Sequence, residues 1–146
     1  KPGTVSNDFV MNLDIAPTVL QAANVAVPKD MQGKSFLPML TGKGVKGRNA
    51  VYYHYYENGE HSVSPHFGIR TKRFKLIRFY TRVSGWELYD LKNDKEEMNN
   101  LYKKNEYRKL IKKLKKQLNE LIQNYDDNDA KEILKAETSL KARKEF

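Results

Sequence analysis

Three histidines, His54, His61 and His66, fall within thirteen positions of one another. Imidazole titrates near neutrality and can donate to an anion or a hydroxyl in either protonation state. No companion pattern of carboxylates accompanies these histidines, so their spacing does not describe a metal site. Arg70 and Lys72 follow closely, and a guanidinium fork at Arg70 matches a sulfate or a uronate, although both cations serve equally well to pair carboxylates within a sheet. Tyr52, Tyr53, Tyr55 and Tyr56 can stack on sugar rings through their apolar faces, and sheet packing uses the same faces. Asp14 stands three residues before Pro17, ahead of Val19, Leu20, Ala22 and Ala23, which reads as a helix N-cap rather than a calcium ligand. The chain has no cysteine, which excludes disulfides, zinc-cysteine sites and a cysteine nucleophile within these residues and leaves the compartment open.

These side chains need elements to place them. Asp8 to Leu13 alternates weakly and is compatible with a strand. A helix follows from Asp14, with Pro17 in its first turn and an end between Asn24 and Pro28. Pro28 to Arg48 reads as a loop with Gly33, Pro38, Gly42, Gly44 and Gly47 and one helical turn around Ser35 to Leu40; Gly42 to Arg48 is the candidate boundary. Strand-length runs of aromatic and β-branched residues come next, at Ala50 to Tyr56, Phe67 to Thr71, Phe74 to Tyr80 and Trp86 to Asp90. The turn at Thr71-Lys72-Arg73 makes a hairpin, and Val83-Ser84-Gly85 makes a second turn whose glycine is placed to take positive φ.

Tyr107, Leu110, Ile111, Leu114, Leu118, Leu121, Ile122 and Tyr125 recur at steps of three and four, the stripe of a helix that must cover a sheet face. Asp126-Asp127-Asn128-Asp129 breaks that helix. The charged remainder has few apolar anchors beyond Ile133, Leu134 and Leu140, and is expected to be a second, exposed helix or a frayed tail. The fold class is α+β, a small antiparallel sheet of about four strands packed against a long C-terminal helix, arranged as residues 1–48, 49–125 and a charged tail, 126–146.

The formal charge of +9 allows a polyanionic partner. Much of it sits at Lys103, Lys104, Arg108, Lys109, Lys112, Lys113, Lys115 and Lys116, against the single acid Glu106. No aromatic residue interleaves with these cations on the polar face and no nucleic-acid motif is present, so no nucleic-acid partner is expected. The solvated face of an amphipathic helix explains them, with an accessory attraction for glycans as the alternative. The longest apolar run, around Met11 to Leu20, is far short of a membrane span.

Three stretches together resemble the type I sulfatases of the alkaline phosphatase superfamily. Asn12-Leu13-Asp14-Ile15-Ala16-Pro17-Thr18-Val19-Leu20, followed by Met31-Gln32-Gly33-Lys34-Ser35-Phe36-Leu37-Pro38-Met39-Leu40, is similar to the segment that closes that family's catalytic domain. His61-Ser62-Val63-Ser64-Pro65-His66-Phe67-Gly68-Ile69-Arg70-Thr71-Lys72-Arg73-Phe74-Lys75-Leu76-Ile77 resembles its hairpin. Trp86-Glu87-Leu88-Tyr89-Asp90-Leu91, with Asp94, Glu97, Asn99, Asn100 and Leu101, resembles its closing motif.

The resemblance implies that residues 1–48 close an alkaline-phosphatase-like catalytic domain. It also implies a hydrolase that uses a formylglycine, made from the first residue of C/S-x-P-x-R, and a calcium ion that polarises the sulfate. None of Ser6, Ser35, Ser62, Ser64, Ser84 or Ser139 begins such a motif, so those elements are expected in a preceding N-terminal catalytic domain and the isolated segment is expected to be inactive. The spacing of His61, Val63, His66, Gly68, Ile69, Arg70 and Thr71 resembles the subgroup acting on N-acetylglucosamine-6-sulfate in glycosaminoglycans. That implies substrate contact by His61, His66 and Arg70, and a periplasmic or secreted location. The alternative from another class is a non-catalytic basic module that binds sulfated glycans or other polyanions.

Overall fold

The computed structural model describes residues 2–42, 47–59 and 61–142. The chain divides into two compact units, Lys1–Asn49 and Ala50–Phe146. Part of the expected boundary, residues 43–46, lies outside the described residues.

In the first unit a 3-10 turn, Asn12–Asp14, leads into helix α1, Ile15–Ala22, and a short helix α2, Leu37–Leu40, follows the loop. Asp8 to Leu13 does not form a strand; it contributes one bridge, Phe9 to Arg48, before turning helical. Asp14 occupies the N-cap position of α1 yet makes no side-chain cap bond there. Its carboxylate accepts the Met11 amide at 2.9 Å and the Lys34 amide at 2.8 Å, and the Arg48 guanidinium grips both oxygens, Nη2 at 2.6 Å from Oδ1. A fully buried carboxylate needs such partners, because desolvation alone disfavours its charge. The expected cap is therefore a three-segment clasp. Gly33 makes it possible, since a Cβ there would lie 1.9 Å from the Leu13 carbonyl oxygen. α1 ends because Asn24 takes φ +57, letting the Val25 amide reach the Leu20 carbonyl and its own amide the Gln21 carbonyl.

The second unit is a four-stranded antiparallel sheet in sequence order: β1 Ala50–Tyr55, β2 His66–Thr71, β3 Phe74–Phe79 and β4 Gly85–Asp90. Strand alternation sends Tyr52, His54, Phe67, Ile69, Leu76, Arg78, Trp86 and Leu88 to one face and Tyr53, Tyr55, His66, Gly68, Arg70, Lys75 and Phe79 to the other. Helix α3, Arg108–Asn124, lays Ile111, Leu114, Leu118 and Ile122 on the first face and joins the core of Phe67, Ile69, Leu76 and Leu88.

Between β2 and β3, the Thr71 hydroxyl accepts the Phe74 amide at 2.9 Å and donates to the Phe74 carbonyl at 3.0 Å, closing the expected hairpin. In the next turn the positive φ falls on Thr81 (+84), not on Gly85, which already opens β4. The closing motif consists of fasteners. Asp90 accepts Arg73, the Lys92 amide and Asn93; Asp94 accepts the Met98 and Asn99 amides; Asn100 accepts the Leu88 and Tyr102 amides.

The segment expected to be exposed or frayed is helix α4, Asn128–Ala142, and it is anchored. Ala130 is fully buried, and Ile133 and Leu134 pack on the core. Glu137 accepts from Arg78 and from the Trp86 indole at 2.9 Å. Polar anchors of this kind leave little trace in an apolar-periodicity reading.

Candidate functional site

Strand register puts His54 and His66 on opposite faces of the sheet, and His61 lies in a loop. His54 points to the helix-covered face, where its side chain is 3% exposed. Its Nδ1 lies 2.6 Å from Asp127 Oδ2 and its Nε2 2.6 Å from the Tyr80 hydroxyl, so both ring nitrogens are engaged. Asp127 also accepts from the Tyr52 and Tyr56 hydroxyls at 2.7 and 3.1 Å, and from the Ala130 amide at 2.9 Å, which makes it the N-cap of α4. Burial alone would raise the carboxyl of Asp127, but the Ala130 amide, His54 and Tyr52 outweigh it and hold the group at about 2. Burial, and then Asp127, push the Tyr56 hydroxyl up to about 12. A histidine saturated in this way fastens structure.

His66, on the second face, is arranged differently. Its Nδ1 sits 2.9 Å from the Ser64 carbonyl, which can only accept, so Nδ1 donates there and Nε2 has no partner among the described residues. The imidazole lies between Tyr55 (centroids 5.5 Å apart, stacked) and Phe79 (4.9 Å), with Tyr53 edge-on at 5.8 Å. Beside it Gly68 leaves room for Tyr53, whose hydroxyl would stand 2.7 Å from a Cβ at that position. That hydroxyl is buried without a hydrogen-bond partner among the described residues, and burial raises its pKa. Arg70, two residues further along the same face, is exposed and forms no ion pair with a described carboxylate; its cross-strand neighbour Lys75 is held by Glu97 at 2.7 Å.

His61 lies in the loop between β1 and β2, exposed, with Nδ1 2.9 Å from Glu57 Oε2. The same oxygen accepts the Tyr55 hydroxyl at 2.9 Å. Hydrogen bonds link His61, Glu57 and Tyr55, and Tyr55 stacks on His66, which joins two of the three residues expected to contact substrate; Arg70, the third, shares the strand face of His66. Tyr55 and Glu57 as connectors were not evident from sequence; the alternation that puts Tyr55 opposite His66 in register was the available signal. Lys72 sits in the hairpin turn, off this row.

Among the described residues no three His, Asp or Glu side chains gather as a metal site, and Asp14 is occupied by Arg48 and two amides. The described side chains do not fit a calcium centre.

This fold is shared by solved sulfatases. A structure of a protein in complex with its substrate D-glucosamine-2-N,6-O-disulfate matches with a TM-score of 0.84 at 50% identity, covering 88% of this chain and 27% of that one. Among curated relatives, the N-acetylglucosamine-6-O-sulfatase of Bacteroides thetaiotaomicron is 49% identical over 136 residues, 90% of this chain and 24% of the relative. The ulvan-active sulfatase of Formosa agariphila is 33% identical, covering 81% of this chain and 30% of the relative. The chain belongs to the family described as N-sulphoglucosamine sulphohydrolase, C-terminal, whose model matches residues 1–124. It spans about a quarter of the length of the first of these relatives.

Proposed function

We propose that this chain is the C-terminal region of a sulfatase that hydrolyses sulfate esters of glycosaminoglycan-type carbohydrate, with 6-O-sulfated glucosamine as the favoured substrate. The observation that carries this reading is the near-half identity to an N-acetylglucosamine-6-O-sulfatase across nine-tenths of the chain. The second sheet face supports it: Nε2 of His66 and the guanidinium of Arg70 are placed to bond sugar hydroxyls and oxyanions, and His61 stands at its rim. Tyr53 offers a buried hydroxyl there that a ligand or further chain would satisfy.

The reactive centre belongs to the remainder of the whole protein, since the sequence has no C/S-x-P-x-R motif and no calcium donor set gathers among the described residues. A formylglycine would supply the nucleophile and calcium the charge that polarises the sulfate. The residues of this chain bind and orient the sugar. Val5, Ile15, Val19, Val25 and Leu40 of the first unit are exposed apolar side chains, as suits a segment completed by an N-terminal catalytic domain. No described helix is long and apolar enough to cross a membrane. A periplasmic or secreted location fits a glycan substrate.

The test is turnover by the whole protein. It should release sulfate from 6-O-sulfated glucosamine, and His66→Ala should lower kcat/KM on that sugar by about tenfold or more while changing hydrolysis of a small aryl sulfate much less. Equal losses on both would make His66 structural, and no turnover of any sulfated sugar would overturn the assignment. The 146-residue segment alone should not hydrolyse an aryl sulfate.

A further inference from the structure

Arg73, Lys75 and Arg78 of the sheet each hold a carboxylate, Asp90, Glu97 and Glu137 respectively. Two cations of helix α3 do not follow that pattern. Arg108 and Lys112, one turn apart, are exposed and pair with no described carboxylate, and Glu106 is the one acid among the cations that surround them. With Lys115 they line a shallow pocket of about 380 Å³ whose remaining walls are Tyr102 and Ile111. Lys115 is the built part of that wall: its ammonium lies 3.8 Å from the Trp86 ring centre and 5.3 Å from that of Tyr102. The two rings stack at 6.0 Å with 12° between their planes, which fixes the Tyr102 side of the pocket.

We propose that this pocket is a secondary binding site for a sulfated oligosaccharide, separate from the sheet face that meets the reacting sugar. Arg108 and Lys112 receive sulfate or carboxylate groups, and the Tyr102 ring with the Ile111 floor takes the apolar face of a pyranose. Arg108 and Lys112 lie about 6 Å apart along the helix axis, so the two cations can receive two anionic groups of one chain. A nucleic-acid strand fits less well. One ring is on offer and it is already stacked on Trp86, so there is no ladder for successive bases. The choice of a sulfated sugar rests on the function proposed above. The site would keep a polymer attached while its end is processed.

The experiment measures binding of a heparin-derived octasaccharide to the whole protein by calorimetry, together with turnover of a sulfated monosaccharide. Arg108→Ala with Lys112→Ala should weaken octasaccharide binding about tenfold and leave monosaccharide turnover unchanged. Lys92→Ala with Lys95→Ala, removing the same charge from exposed positions elsewhere, should change binding less than about twofold. Equal loss in both double variants would reduce the effect to overall charge and overturn the proposal, as would no loss in either. Duplex DNA bound as tightly as the octasaccharide at about 0.15 M salt would overturn the carbohydrate assignment. If monosaccharide turnover is absent but octasaccharide binding persists and remains sensitive to Arg108→Ala with Lys112→Ala, the catalytic reading fails and this site stands.

Discussion

The two faces of the sheet use the same residue types for opposite ends. On the helix-covered face His54 spends both ring nitrogens, on Asp127 and Tyr80, within a shell of Tyr52, Tyr56 and Phe67. On the second face His66 spends one, on a backbone carbonyl, and stands among Tyr53, Tyr55 and Phe79 with the other unengaged. Composition around the two rings is nearly identical. What separates them is partner count, and a side chain with every polar atom paired fastens, whereas one with a spare polar atom remains available for recognition.

Substitutions can break or sharpen that contrast. The largest expected effect is on the covered face, where Leu76→Ala or Leu118→Ala, each at a fully buried position, should cost about 2–5 kcal/mol in urea unfolding. Phe79→Ala on the second face is half-buried and should cost clearly less; an equal loss would mean the faces contribute alike. His54→Ala should cost about 1–3 kcal/mol, because it leaves Asp127 and the Tyr80 hydroxyl short of a partner, and His66→Ala about 1 kcal/mol or less.

Acid should report the same asymmetry. Asp127 is depressed from 3.8 to about 2 in the fold, so its contribution of about 2 kcal/mol is present above pH 3.8 and is lost as pH falls through that value towards 2. Asp14 and Asp90 are lowered in the same sense, so Asp127→Asn should remove part of the acid slope, and an unchanged slope would refute its role. Gly68→Ala sharpens the second face by pushing a Cβ against Tyr53 and the Leu76 carbonyl oxygen, at 2.7 and 2.5 Å; about 1–2 kcal/mol should be lost, with Tyr53 displaced. Arg70→Ala, at an exposed position with no ion pair among the described residues, should change stability by less than about 0.5 kcal/mol, so any loss in substrate affinity would be direct.

The sheet was readable from sequence almost to the residue, because alternation and turn chemistry are local. Four strands, the Thr71 to Phe74 hairpin and the α3 stripe all follow from neighbours a few positions apart. The parity that divides His54 from His66 was present too, once β1 and β2 were in register. Asp14's clasp depends on Arg48, 34 positions away, and His54's partner is 73 positions away. No periodicity encodes pairings at that range. α4 is the second helix that the sequence suggests, and its docking alone departs from the expectation, for a related reason. It docks through Ala130 and Glu137, one small and one charged, so its apolar pattern is thin while its polar anchoring is firm. At the second turn φ alone misled: Thr81 took the left-handed conformation assigned to Gly85.

Trp86 is the one tryptophan of these 146 residues, and its indole N-H is bonded to Glu137 near the far end of the last helix while an ammonium from α3 rests on its ring. The protein therefore carries an optical gauge at the seam between strand and helices. Undocking the last helix would strip a carboxylate from the indole and admit water to it, shifting its emission without any label having been attached.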